Sequence, residues 1–362
     1  MNKRLLSGIM TFALAAAVFT GCNNGDTDTP GKDAGSDKPL VGVSMPTKDL
    51  QRWVQDGENM EKQLKDAGYD VDLQYASNDV GTQVSQVENM IANGVNVLVI
   101  SAIEGDSLGT VLAQAKEKDV TVIAYDRLLM NTDAVSYYAT FDNYMVGTKQ
   151  GEYIEEALDL ENAAGPFNME ILTGDPGDNN AKFFYGGAMD VLQKYVDAGK
   201  LVVQSKQVKF DEVATAGWST ETAQNRMESI LASYYADGTK LDVVLCSNDS
   251  TALGAINALE SSYDGEWPVI TGQDCDIANV KKMIEGKQSM SIFKDTRTLA
   301  GQVVKMIDAH LSDKEVEVND TKTYDNGKLV VPSFLCEPVF ADIDNYEELL
   351  VESGYYEADQ LK

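Results

Sequence analysis

Histidine is nearly absent: His310 is the only one among 362 residues. That excludes a multi-histidine metal site and leaves a Ser-His-Asp triad with a single candidate base. Cysteine is scarce as well, at four residues, and none stands in CxxC spacing, so a cysteine-ligated zinc site is not expected. Basic side chains are few: 29 Lys and Arg stand against 58 Asp and Glu, a formal charge of −29. A chain without clustered Lys and Arg has little with which to neutralise phosphate, which excludes nucleic acid as a partner. The same charge suits a soluble protein kept from aggregating by self-repulsion. Long hydrophobic runs are missing too. The apolar stretch Leu5–Phe19 is shorter than the roughly 20 residues that span a bilayer.

That short stretch belongs to a targeting segment, residues 1–22. Lys3-Arg4 form its positive start and Thr20-Gly21-Cys22 a small-residue cleavage site. A Cys directly after Gly resembles the bacterial lipobox, with Phe19 where Leu is usual. The resemblance implies lipid attachment at Cys22 and cleavage before it; an unmodified secreted protein is the alternative. Residues 23–39 hold almost no large apolar side chain and read as a disordered tether. The expected location is therefore extracytoplasmic, on the outer face of the cell membrane through the lipid alone, or periplasmic. Cys246 and Cys275 follow apolar runs and read as buried free thiols; with Cys336 the count is odd, and no disulfide is expected. His310, on a helix predicted over Leu299–Leu311, is expected to face solvent.

From residue 40 the chain alternates strand and helix patterns. Its clearest unit is Val95–Arg127, where Val97–Ile100 and Thr121–Tyr125 are apolar, β-branched runs of strand length. Strands covered on both faces read this way, and a parallel sheet requires them. Leu108, Leu112 and Ala115 recur at helical spacing between them and supply the crossover. Leu40–Met45, Asp70–Ala76 and Tyr137–Phe141 are further strands of this first unit. A second unit of similar size follows, with strands at Phe167–Thr173, Leu201–Gln204, Leu241–Cys246, Val269–Thr271 and Ser289–Phe293. A hairpin turning at Asp325-Asn326-Gly327 and a short helix at Tyr346–Leu350 close the chain. The expected class is α/β, with two doubly wound parallel-sheet lobes.

In open α/β sheets ligands bind beyond the carboxyl ends of the strands. Here those ends carry Asp126-Arg127, Asn179-Asn180, Ser247-Asn248-Asp249, Gly272-Gln273-Asp274 and Lys294-Asp295. Any one of them could be a helix cap, as Asp249 and Asp276 are placed to be. Together they suit hydroxyl recognition, because Asp accepts, Arg and Lys donate, and Asn does both. Trp53 and Trp218 stand in polar contexts that suggest exposure, and indole packs on the apolar faces of a sugar ring.

At these residues the sequence resembles the periplasmic sugar-binding proteins of ABC transporters, in the multiple-monosaccharide-binding and D-xylose-binding branch. The stretches that carry the resemblance are RWVQDG (52–57), SQVENMIANGVNVLVI (85–100), VIAYDRL (122–128), YYATFDN (137–143), GDPGDNNA (174–181), SNDSTALGAI (247–256), TGQD (271–274) and NDTKTYDNG (319–327). It implies the type I fold, two lobes joined by a three-crossover hinge and closing over one sugar. It implies sugar contacts from Arg52, Trp53, Asp126, Arg127, Asn180, Trp218, Asn248, Asp274 and Lys294. The crossovers are expected near Phe141–Asn143, Lys294–Asp295 and Asp320–Thr323. The lobes would then comprise 40–142 with 295–322, and 143–294 with 323–362. The implied protein is a monomer without cofactor or metal. It would pass xylose, glucose, galactose or arabinose to an ABC permease and its ATPase, or report the sugar to a membrane sensor. Two rival readings are a glycosidase using Asp126 and Asp274 and the effector domain of a repressor. The second lacks a helix-turn-helix in residues 1–39.

Overall fold

The structure, a computed structural model, describes residues 38–362. The segment read as a signal, Cys22, and the tether up to Asp37 lie outside the described residues. In chain order the elements are β1 (Leu40–Met45), α1 (Gln51–Asp66), β2 (Asp70–Tyr75), α2 (Val80–Ala92), β3 (Val97–Ile100), α3 (Gly109–Glu117), β4 (Thr121–Tyr125) and β5 (Tyr137–Phe141). Then come α4 (Asn143–Ala157), β6 (Phe167–Leu172), α5 (Asn179–Asp197), β7 (Leu201–Val202), α6 (Phe210–Val213), α7 (Thr220–Tyr234), β8 (Val243–Cys246), α8 (Asp249–Ser262) and β9 (Val269–Ile270). Last are α9 (Ile277–Ile284), β10 (Met290–Phe293), α10 (Thr296–Leu311), β11 (Ser333–Cys336) and β12 (Val339–Asp342), followed by a π-helical turn over Glu347–Glu352 where a short helix was expected.

The first sheet has the order β11-β5-β4-β3-β1-β2, and every pair in it is parallel. Its strands are continuous apolar runs because both faces are covered. On one face α2 and α3 bury Val87, Val111 and Leu112 against Leu98 and Val122. On the other, α1 and α10 bury Met60, Leu64, Val303 and Met306 against Val41, Val99 and Tyr125. The second sheet, β7-β6-β8-β9, is also parallel. It is covered by α4 and α5 on one face and by α7 and α8 on the other. Strand β10 pairs antiparallel with β12 and is bridged to Gln273 beside the second sheet. The doubly wound α/β class expected from the alternation is the one found.

Two strands escaped the sequence pattern, β11 and β12, each four residues long and separated by Glu337-Pro338. They correct the expected third crossover. Residues 323–336 stay with the first sheet: Tyr324 is buried in its core, Asn326 donates to the carbonyls of Leu129 and Thr132 at 3.0 and 2.8 Å, and β11 pairs with β5. The chain crosses between Cys336 and Val339, not at Asp320–Thr323. The Asn-Gly turn forms, with Gly327 at φ 85 and the Asn326 amide 3.0 Å from the Leu329 carbonyl. Its flanks make only isolated bridges, not a hairpin. His310 is half-buried, its Nε2 2.6 Å from the Thr121 hydroxyl and its ring edge-on to Tyr137, and does not face open solvent as expected. Cys246, Cys275 and Cys336 are buried free thiols.

Candidate functional site

The strand ends of the two sheets meet around one cavity, with about 420 Å³ of space between its atoms, part of it open to solvent. Eight of the nine expected contact residues line it: Arg52, Trp53, Asp126, Arg127, Trp218, Asn248, Asp274 and Lys294. Asn180 stands just behind it, its Nδ2 donating to the Asp126 carbonyl at 2.6 Å.

Each residue reaches the cavity for a local reason. Asp126 follows β4 directly and takes a left-handed backbone, φ 57, which Asp tolerates better than most residues. Its carbonyl is held by the hydroxyls of Tyr138 and Thr140 and by Asn180, three donors that fix the strained turn. Asp274, after β9, is likewise left-handed at φ 99. Asn248 stands two residues past β8 and caps α8, accepting from the Thr251 amide at 3.0 Å. The cap is therefore Asn248, not Asp249. Asp249 is buried behind it, accepting from Gln288, Ser291 and the Asp276 amide. Lys294 follows β10. Arg52 and Trp53 occupy the first turn of α1. Trp218 sits at φ 55 after Gly217 at φ 65, its ring closely packed on Gly174 and edge-on to Phe184.

Arg52 is the hub. Its guanidinium donates to Asp126 and Asp274, both at 2.8 Å, and to Asp56, one helical turn along α1. Lys294 lies 3.2 Å from Asp274 and 3.7 Å from Asp126. Arg127 pairs with Asp178 at 3.1 Å, donates to the carbonyls of Ala102 and Ile103, and lies over the Trp53 ring at 5.0 Å. Several of these bonds run between the two sheets' halves: Arg52 to Asp274, Lys294 to Asp126, and Arg127 to Asp178.

The charges tune one another. Burial works to lift the Asp126 carboxyl, but Lys294, Arg52 and Arg127 outweigh it and hold it below the usual carboxylate range. Asp178 is raised by burial in spite of Arg127. Asp276 is pushed up to about 7 by burial and by the charge of Asp274, so near neutrality it can donate as well as accept. Arg52 stays fully charged, because Asp56, Asp126 and Asp274 more than offset its burial. Such a set of fixed donors and acceptors can hold several hydroxyls at once, each charged bond contributing about 1.5–3 kcal/mol.

Two readings change. Trp53 and Trp218 are each only 5% exposed, against the exposure expected from their polar neighbours. Leu50, Asp178, Phe184 and Ser250 also line the cavity and were not singled out, and Gln273 and Asp276, read as a strand-end residue and a helix cap, line it too. Phe184 lies one helical turn beyond Asn180, which is the signal that could have found it. Asp178 reads as a helix cap and is one, accepting from the Asn180 amide. Among the described residues no cluster of three or more His, Cys, Asp or Glu could hold a metal, and no helix is long and apolar enough to cross a membrane.

Paired α/β halves whose strand ends close on an ion-lined cavity faced by indoles define a class: proteins that enclose one small polar solute. The chain belongs to the periplasmic binding protein domain family, which it matches over residues 41–315. It is 51% identical over 331 residues to the multiple sugar-binding periplasmic receptor ChvE of Rhizobium radiobacter, covering 90% of this chain and 93% of the relative. It is 35% identical to the D-xylose-binding periplasmic protein of Escherichia coli K12, covering 89% and 92%. Among solved structures, an ABC transporter solute-binding protein from Clostridium phytofermentans with bound β-D-glucose is 78% identical, with a TM-score of 0.88 and coverage of 89% of this chain and 100% of that one. A carbohydrate transporter solute-binding protein from Chloroflexus aurantiacus in complex with D-glucose gives 35% identity and a TM-score of 0.81, covering 90% and 98%. These relatives are binding proteins and not enzymes.

Proposed function

We propose that this chain is the solute-binding component of a carbohydrate ABC transporter and captures one monosaccharide of the glucose, xylose, galactose or arabinose class. The observation that carries the reading is the lattice of Arg52, Asp126, Asp274 and Lys294 beside the indoles of Trp53 and Trp218. Asp126 and Asp274 accept from sugar hydroxyls, Arg52, Arg127 and Lys294 donate to them, Asn248 does both, and Asn180 steadies the Asp126 turn. The rings cover the C–H faces. A micromolar complex needs about 8 kcal/mol, which four or five charged hydrogen bonds with two apolar faces supply once ordering costs are subtracted.

The working lobes are residues 40–142 with 295–336, and 143–294 with 339–362, turning about the three crossovers. The sugar favours the closed form because only there do both lobes touch it. Closed, the monomer presents its cargo to a permease whose ATPase partner drives uptake. A lipid on Cys22 holds it at the outer face of the membrane. A second reading, delivery of the sugar to a membrane sensor, is favoured by the Rhizobium relative, which is named a receptor. A thermal-shift screen over a dozen monosaccharides tests the binding step. Sugar at 100 times its Kd stabilises by about 2.7 kcal/mol, and a panel in which none raises the melting temperature rejects it. Uptake of labelled sugar after deletion of the cognate permease separates transport from sensing.

A further inference from the structure

A second set of bonds joins the two halves outside the sugar cavity. Gln51 and Gln55, on the first two turns of α1, both donate from Nε2 to the Tyr356 hydroxyl, at 2.7 and 3.0 Å. Gln51 also accepts from the Ile277 amide at the start of α9, at 3.1 Å. The Tyr355 hydroxyl donates to Gln55 Oε1 at 3.2 Å. Tyr356 is held on the second half: its hydroxyl donates to the Cys275 carbonyl at 2.9 Å, and its ring packs with Val280, Phe293 and Leu350. Only 4% of Tyr356 is exposed, while Gln51 and Gln55 are half-buried, so these bonds are partly screened from water.

We propose that the Gln51–Gln55 edge of α1 and the C-terminal Tyr355-Tyr356 pair form a closing clasp that sets sugar affinity without touching sugar. The proposal rests on the sugar-binding reading above. α1 belongs to the half built on the first sheet, and α9 and the tyrosine pair to the other. Opening the cleft at Arg52 and Asp274 must therefore part Gln51 from Ile277 and Tyr356. The tyrosine pair also touches Thr296, and Arg297 bonds Ser353 just before it. Those residues follow directly on the crossover at Lys294-Asp295, where a hinge moves least, so they tether the segment while the glutamines engage and release. Apparent affinity scales with the population of the closed form. A contact made only on closing therefore multiplies the affinity for every sugar by the same factor. Gln51 and Tyr356 are positioning residues in this scheme. The residues that tell one sugar from another lie inside the cavity.

The test uses the full chain and three variants, Tyr356→Phe, Gln51→Leu and the double. Dissociation constants for glucose, xylose and galactose come from calorimetry and dissociation rates from stopped flow. The expected result is a roughly two- to ten-fold loss per single variant, the range for one or two neutral hydrogen bonds. That factor is common to all three sugars and appears in the dissociation rate, with the melting temperature of the sugar-free protein unchanged in Gln51→Leu; Tyr356→Phe lowers it somewhat, because that variant also gives up the bond to the Cys275 carbonyl within the second half. The double variant falls short of the product of the singles, because they share one bond. Affinities equal to wild type in both single variants, or losses that differ from sugar to sugar, overturn the clasp alone. Wild-type protein that binds no monosaccharide overturns the sugar reading and the clasp with it.

Discussion

Replacing Gly174 with alanine should push an indole out of place and weaken binding without touching any charged group. A Cβ on Gly174 would fall 1.9 Å from Cη2, 2.1 Å from Cζ2 and 2.4 Å from Cζ3 of Trp218. The ring must retreat by roughly 1.5 Å to regain ordinary contact. Its freedom to do so is small: Phe184 stands edge-on to it at 6.2 Å, Trp218 is only 5% exposed, and its backbone is already left-handed at φ 55. The cavity is the space that remains. Overpacking of this kind costs about 1–3 kcal/mol of stability, a fall in melting temperature of about 2–6 °C for a domain of this size. Losing the stacking face and the fit of the opposite wall should weaken sugar binding at least ~10-fold, about 1.4 kcal/mol. Scanning calorimetry of the free protein reads the first effect and titration calorimetry with D-glucose the second. Adding Trp218→Phe, a shorter ring that lacks the atoms in collision, should recover the melting temperature. Glucose affinity within two-fold of wild type in Gly174→Ala would refute the reasoning that the Trp218 ring shapes the site.

Asp126→Asn keeps a side chain that tolerates φ 57 but removes the charge between Arg52 and Lys294. It should fold and bind glucose at least ~10-fold more weakly by titration. Asp126→Ala should lose, in addition, about 1 kcal/mol of stability in denaturant melts. Asp276 and Asp56, pushed up to about 7 and about 6 chiefly by burial, bind protons more tightly folded than unfolded. Their contribution to stability is therefore present below about pH 4 and is lost as pH rises through 6 to 7. Asp276→Asn should flatten the fall in sugar-free melting temperature between pH 4 and 8; an unchanged slope would contradict the assignment. Cys22→Ser should move the protein from the membrane fraction to the soluble one on cell fractionation, and equal partition of both forms would reject the lipid anchor.

The sequence pattern carries most of this fold because its signals are local. β-branched runs such as Val97–Ile100, and acids such as Asp79 and Asp142 that cap the helices after them, mark strands and helix starts without reference to the rest of the chain. Strands β11 and β12 are short, and what makes them strands is a partner far along the chain, β5 for one and β10 for the other. No local window contains that information, and the third crossover was misplaced with them. The lining of the cavity was legible where residues hang on strand ends, as with Asp126, Asn248, Asp274 and Lys294. Burial of the indoles was not, because Trp53 and Trp218 are covered by side chains from distant segments, Arg127 over one and Phe184 beside the other. Asp178 and Asp276 hid in positions that a helix cap explains equally well. His310 was misjudged for a similar reason: its partner, Thr121, belongs to a strand nearly two hundred residues earlier.

The most direct measurement is a crystal structure of the full folded region grown with saturating D-glucose. The account predicts one pyranose in the cavity, its faces against Trp53 and Trp218 and its hydroxyls within about 3 Å of Asp126, Asp274, Arg127 and Lys294. A structure in which Arg52 and the two aspartates keep the cavity to themselves, with sugar bound elsewhere or not at all, would contradict it.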